Sequence, residues 1–218
     1  MQGSDVKKTD TSRRNAIIAG GVILGTIATK AADEKLTDGG LAPIIGKEKV
    51  ERDTPLVPAG SVSSKHLSDH CTACQLCIQN CPNQVLRPST DIKTFLQPVM
   101  GYEKGYCRPE CTLCWELCPV GAIRPITPEE KTDISIGIAS VNVYMCLMVK
   151  GTSCGNCARH CPAGAITLTP MYDKEDSPIM PVVNESRCIG CGACENLCPV
   201  SPISAITVNG REVHTTIS

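Results

Sequence analysis

Large aromatic side chains are nearly missing from this chain: one Trp, one Phe and four Tyr in 218 residues. A chain so short of bulky groups cannot fill a wide apolar core. Something besides side-chain burial must supply folding free energy, and bound metal does so in small domains. No basic block stands beside an aromatic platform, and the formal net charge is −1, which excludes the usual nucleic-acid footprint. No Cys-x-x-Cys is followed by His, so covalent haem is excluded. There is no flavin or nicotinamide fingerprint and no nucleophile–base pair, so no residue is assigned a catalytic role.

What the chain has instead is cysteine, 16 residues in four groups of four with none left over. The groups are Cys71, Cys74, Cys77 and Cys81; Cys107, Cys111, Cys114 and Cys118; Cys146, Cys154, Cys157 and Cys161; and Cys188, Cys191, Cys194 and Cys198. Each last cysteine is followed by proline: Pro82, Pro119, Pro162 and Pro199. An eight-disulfide scaffold or a set of zinc sites are the plainer readings. The fourfold recurrence of Cys-x2-Cys-x3-Cys-Pro argues against both. Disulfides do not need that rhythm, and zinc knuckles usually lack the third close cysteine and the proline. The rhythm is that of bacterial ferredoxins, in which closely spaced thiolates wrap an iron–sulfur cube and the last cysteine binds a neighbouring cluster. The run from Cys188 to Pro199 shows it most cleanly. Gly190, Gly192 and Ala193 stand between its ligands, where small residues let the backbone come close to a cluster. Four [4Fe-4S] clusters are expected, with all 16 cysteines as metal ligands.

In chain order, residues 1–32 read as a twin-arginine-type signal or N-terminal anchor. Arg13-Arg14 precedes an uncharged stretch from Asn15 to Thr29, which falls short of the about 20 apolar residues of a membrane span. Ala16 stands where Phe is typical, and Thr29-Lys30-Ala31 is the nearest approach to a cleavage site. Export after folding would let clusters be inserted before 16 thiols met an oxidising compartment. Residues 33–66 are rich in Pro and Gly and read as a linker or extended arm, with Ser63-Ser64 capping a short helix through His70. His66 and His70 are expected on a helix face or in solvent, since every cysteine group is already complete.

Residues 67–218 form an internal repeat with units 67–100, 101–130, 140–172 and 180–212. Each unit is expected to run strand, cluster loop, short helix, Cys-Pro, strand. Predicted strands include Val141–Tyr144 and Pro181–Asn184 before loops. After loops come Asn83–Leu86, Val120–Ile123, Ala163–Ile166 and Ser204–Val208. A strand before and after each loop would form a hairpin over the cluster, and Ile123, Ile166 and Ile206 would shield it. Trp115 is expected to serve packing. The segment 82–106, with Phe95 and Tyr102, reads equally as a cover, a contact or a solvated loop. The fold class is α+β: tandem ferredoxin-like modules of the bacterial 2[4Fe-4S] type, with short β-hairpins and short helices around four cubane clusters.

Two units make one module by exchanging fourth cysteines, and even spacing leaves the pairing open. Units one and four are regular, while two and three both stretch the first gap. That favours pairing one with four and two with three, with neighbour pairing as the runner-up. The four-group array after a twin-arginine-like segment, with Pro58-Ala59-Gly60-Ser61 before the first group, resembles four-cluster ferredoxin subunits of bacterial respiratory complexes of the NapG/MauM type. The resemblance covers residues 55–210 and implies the nested pairing. One cluster would take Cys71, Cys74, Cys77 and Cys198, and another Cys188, Cys191, Cys194 and Cys81. A third would take Cys107, Cys111, Cys114 and Cys161, and the last Cys146, Cys154, Cys157 and Cys118. It further implies an electron carrier rather than an enzyme. Its site would be the periplasm or the outer face of the bacterial cytoplasmic membrane, with peripheral membrane association through the N-terminal segment. It would link a membrane quinol-oxidising subunit with a catalytic reductase subunit. The alternatives are an iron–sulfur scaffold subunit of a multi-chain enzyme and a general ferredoxin.

Overall fold

In a computed structural model of the chain, the described residues are 46–173 and 177–217. The expected signal or anchor at residues 1–32 lies outside them. So does the start of the expected arm.

Short helices dominate because the Cys-Pro that ends each unit offers no N–H to continue a helix. Four helices of one turn each carry the third cysteine of their unit. These are α2 (Leu76–Gln79), α3 (Leu113–Glu116), α5 (Asn156–Arg159) and α6 (Ala193–Asn196). Ahead of them, α1 (Ser64–His70) begins where its cap foretells: the Ser63 hydroxyl accepts from the His66 N–H at 2.9 Å. Between units two and three, α4 (Pro128–Thr132) is fixed by a capping box. Thr127 and Glu130 bond each other's backbone, and a proline opens the helix.

The strands pair antiparallel in three two-stranded sheets. β1 (Leu86–Pro88) meets β2 (Pro98–Met100) in the stretch between the first and second cysteine groups. β4 (Ile166–Pro170) meets β5 (Ile179–Val183) in the same way, joining units three and four. β3 (Ile134–Val141) and β6 (Ile206–Thr216) then clasp units three and four from their outer ends, with Val141 opposite Ile206. The fold is α+β, but the expected hairpin around each single loop does not form. Hairpins instead lie between one cysteine group and the next. Val120–Ile123 is a turn. Val141–Tyr144 is strand at its first residue alone. The Asn142 side chain accepts from the Tyr144 N–H, and this Asx turn ends the strand. Asn184 repeats the device after β5, accepting from Ser186.

The described part of the expected arm is extended, but it is a buried strap rather than a solvated linker. Leu56, Val57, Ala59 and Ser61 are all buried. Its backbone touches both halves of the repeat. Leu56 O accepts from Met100 N–H, Gly60 O from Arg124 N–H and Thr54 O from Gly210 N–H. A buried Val or Ile follows each Cys-Pro: Val85, Ile123, Ile166 and Ile206.

Candidate metal centres

The structure gathers the thiols in four groups, and each group takes its fourth member from the adjacent unit. Burial raises the Cys77 thiol to about 11, and the nearby Cys71, Cys74 and Cys118 add to the rise. Cys81, Cys107, Cys111 and Cys114 line one cavity of about 410 Å³, with Val85, Met100 and Lys131 on its wall. Cys146, Cys154, Cys157 and Cys198 line a second of about 380 Å³, which Ile206 helps close. Cys161, Cys188, Cys191 and Cys194 line a third of about 300 Å³, with Ile166. The nested pairing is therefore corrected at all four exchanged positions. Cys118 joins the first group, Cys81 the second, Cys198 the third and Cys161 the fourth. The cause is the packing of consecutive units, α2 on α3 and α5 on α6, through their joining hairpins. The stretched first gaps of units two and three carried no information about pairing.

The thiols fit the group that the spacing implies. None of the 16 is in a disulfide. Among the described residues no three His, Cys, Asp or Glu side chains converge as one metal ion requires. The sulfurs instead ring cavities whose other walls are mostly apolar. Burial pushes Cys114 and Cys191 up to about 12 and Cys157 up to about 11, and neighbouring thiols reinforce each rise. Such thiols are poor nucleophiles. They ionise when cationic iron is there to receive four of them at once. Backbone N–H groups reach several sulfurs: Ala73 to Cys71 at 3.4 Å, Ile123 to Cys118 at 3.5 Å and Ala165 to Cys161 at 3.3 Å.

The four groups stand in a line whose order is not that of the chain. Cys77 lies near Cys114, linking the first group to the second. The Cys107 N–H donates to Cys191 O at 2.9 Å, linking the second to the fourth. Cys157 lies near Cys194, linking the fourth to the third. The spatial order is one, two, four, three.

Tyr102 seals the central junction. It is fully buried, and its hydroxyl donates to Gly190 O at 2.5 Å. Its ring lies where a Cβ on Gly192 would come within 2.2 Å of Cγ. The positive φ of Gly192, +80°, thus serves this close approach as well as the loop around the cavity. Asn196 Nδ2 donates to Tyr102 O, and the Arg52 guanidinium lies over the ring at 5.5 Å. Arg52 also pairs with the buried Glu195 carboxylate at 2.5 Å.

Other expected residues fall as follows. Trp115 is buried, with the Lys131 ammonium 5.3 Å from its ring centre. His66 and His70 stack at 4.2 Å on α1, and His70 Nδ1 lies 2.9 Å from His66 O. Within segment 82–106, Tyr102 is core and Phe95 is exposed. Sequence reasoning missed buried Lys131, half-buried Lys47 and Arg52, whose side chain is almost wholly covered, all with partners far along the chain. Lys47 and Arg52 lie in the segment read as linker, and Lys131 falls between units two and three.

Thiol groups of this number, spacing and burial define a ferredoxin-type [4Fe-4S] protein whose chemistry is electron transfer. A family model described as a 4Fe-4S dicluster domain matches residues 151–201. The methylamine utilization ferredoxin-type protein MauM of Methylobacillus flagellatus is 33% identical over 175 residues, covering 76% of this chain and 72% of that one. The ferredoxin-type protein NapG of Escherichia coli is 30% identical over 180 residues, 74% and 76% of the two chains. The ferredoxin-type protein NapF of Escherichia coli is 30% identical over 149 residues, 68% and 82%. The chain belongs to the NapG/MauM-type ferredoxin family.

Proposed function

We propose that this chain is a four-cluster electron relay, with one [4Fe-4S] cluster in each thiol group and electrons passing along the order one, two, four, three. The observation that carries the reading is the unbroken line of thiol groups, each with a cysteine next to a cysteine of the following group. When bound, such clusters take up and release single electrons. The protein's part is to hold all 16 thiolates, to keep water off the cavities with Val85, Ile123, Ile166 and Ile206, and to fix the spacing at the Tyr102 junction. No thiol is left to offer an open coordination position, which favours a carrier over an enzyme.

The two ends of the line are where partners would dock. The loop carrying exposed Ile92 and Phe95 is tied to the first group by Gln97, whose Nε2 donates to Ser68 O and Cys71 O. At the other end Tyr144, 86% exposed, precedes Cys146 by two residues. A membrane quinol-oxidising subunit at one end and a catalytic reductase subunit at the other fit this polarity, through small and transient interfaces. The Arg13-Arg14 segment supports export in the folded state to the periplasm or the outer face of the cytoplasmic membrane.

Anaerobically purified protein should contain about 16 iron and about 16 acid-labile sulfide per chain. One reducing partner should reduce all four clusters rapidly. A scaffold subunit would leave some of them unreduced on the turnover timescale, and that result would overturn the relay. Export is tested by fusing residues 1–32 to a reporter active only after folded transport.

A further inference from the structure

Lys131 is a charged side chain in a place that needs explaining. It is 7% exposed, and among the described residues no carboxylate lies within ion-pair distance of it. Burying an ammonium without a counter-charge is costly. Two of its donors are nevertheless directed. Nζ donates to Arg108 O at 2.7 Å and Cys111 O at 2.6 Å, and the side chain lines the same cavity as Cys107. The Trp115 ring packs against it. The capping box of α4 fixes the turn from which it reaches. The missing counter-charge is the thiolate set of the second group, whose cavity Lys131 lines.

The other groups lack this feature. Among the described residues, the hydrogen bonds to sulfurs of the first and fourth groups come from backbone N–H. Lys47 lies near the third and fourth groups, but Nζ donates to Glu195 O, Asn196 O and the Ser204 hydroxyl rather than to sulfur. The Glu195 carboxylate beside it counters its charge.

We propose that Lys131 is a positioning residue for electron transfer, raising the reduction potential of the cluster held by Cys107, Cys111, Cys114 and Cys81 so that an electron rests there. The inference rests on the relay reading. Reduction adds one negative charge to a group already rich in thiolate. A fixed cation on the wall of the cavity stabilises the reduced state more than the oxidised one. Clusters further along the line feel the same charge less. The second position thus becomes a well within the relay. It accepts electrons readily from the first group and sets the step that must be climbed towards the fourth.

The test is a potentiometric titration of the full-length, cluster-loaded chain, followed by electron paramagnetic resonance. It compares the unaltered protein with Lys131→Gln and Lys131→Arg. With iron and sulfide content unchanged, Lys131→Gln should weaken reduction of one cluster at least tenfold, 59 mV for a one-electron couple, and Lys131→Arg should retain most of the potential. Cys81→Ser must alter the same step. Four unmoved midpoints, or four moving equally, would overturn the proposal. Loss of a cluster from both Lys131 variants would also overturn it, making the lysine a strut. An iron-free unaltered protein would bring down the relay reading itself.

Discussion

The two halves of the repeat solve the same problem with unequal means. Units three and four are held twice, by the β4–β5 hairpin between them and by the β3–β6 clasp across their outer ends. Units one and two have the hairpin, β1–β2, but where the clasp would be they show a single backbone bond, Arg124 N–H to Gly60 O at 3.0 Å. The comparison teaches that the thiol exchange, not the sheet, defines a module. The exchange is complete in both halves, while the sheet is complete in one.

The sharpest break of this comparison is at the exchanged thiols. Cys81→Ser should deplete the cluster of the first half that contains Cys107, and leave the third and fourth groups with full iron. The matching Cys161→Ser should spare the first half. Iron content and magnetic resonance spectra of the two variants check both outcomes. A Cys81→Ser protein that loses the Cys188 group would restore the nested pairing.

Next in size is the seam between the halves. Gly192→Ala drives a methyl into the Tyr102 ring at a left-handed φ, costing roughly 2–5 kcal/mol from overpacking and backbone strain together. Magnetic coupling across the junction should fall while coupling inside each half persists. Arg52→Met leaves the Glu195 carboxylate buried without its partner, costing roughly 3–4 kcal/mol in chemical denaturation. The double variant with Glu195→Gln should recover much of that loss.

A smaller effect tests the long clasp of the second half. His214, on β6, has both ring nitrogens buried without a partner, and burial lowers its pKa to about 4. The folded value lies below the unfolded one, so the folded state disfavours protonation. Stability is full above about pH 6.5 and falls as pH drops towards 4, by roughly 2–3 kcal/mol in all. His214→Leu should flatten that slope, measured by denaturation between pH 7 and 5. The smallest change is Ser63→Ala, which removes the α1 cap at a cost of about 1 kcal/mol.

The four cysteine groups and the α1 cap were legible in the sequence because both follow from patterns local in the chain. A cysteine every third residue, a proline after the last, and a serine three residues before an N–H all declare themselves at short range. The β4–β5 hairpin was half visible in the strand-like phrases around Ile166 and Val182. The partner of each fourth cysteine was not legible, because spacing is blind to which unit a hairpin brings near. The strap was misread for a related reason. Its prolines and glycines mark extended backbone, and extended backbone reads alike whether solvated or buried under Met100 and Arg124. Lys131 and Tyr102 act through partners 20 to 94 residues away, so no local pattern announces them.

The borrowed fourth ligand has a bearing on how the molecule comes into being. On the four-cluster reading, the first cube would lack a corner in the growing polypeptide until Cys118 had been made and the second until Cys114, while the third would wait for Cys198 and the fourth for Cys194. Iron delivery must therefore wait for pairs of repeats rather than follow them singly. A gene of this design can gain or shed repeats in twos, but never one at a time.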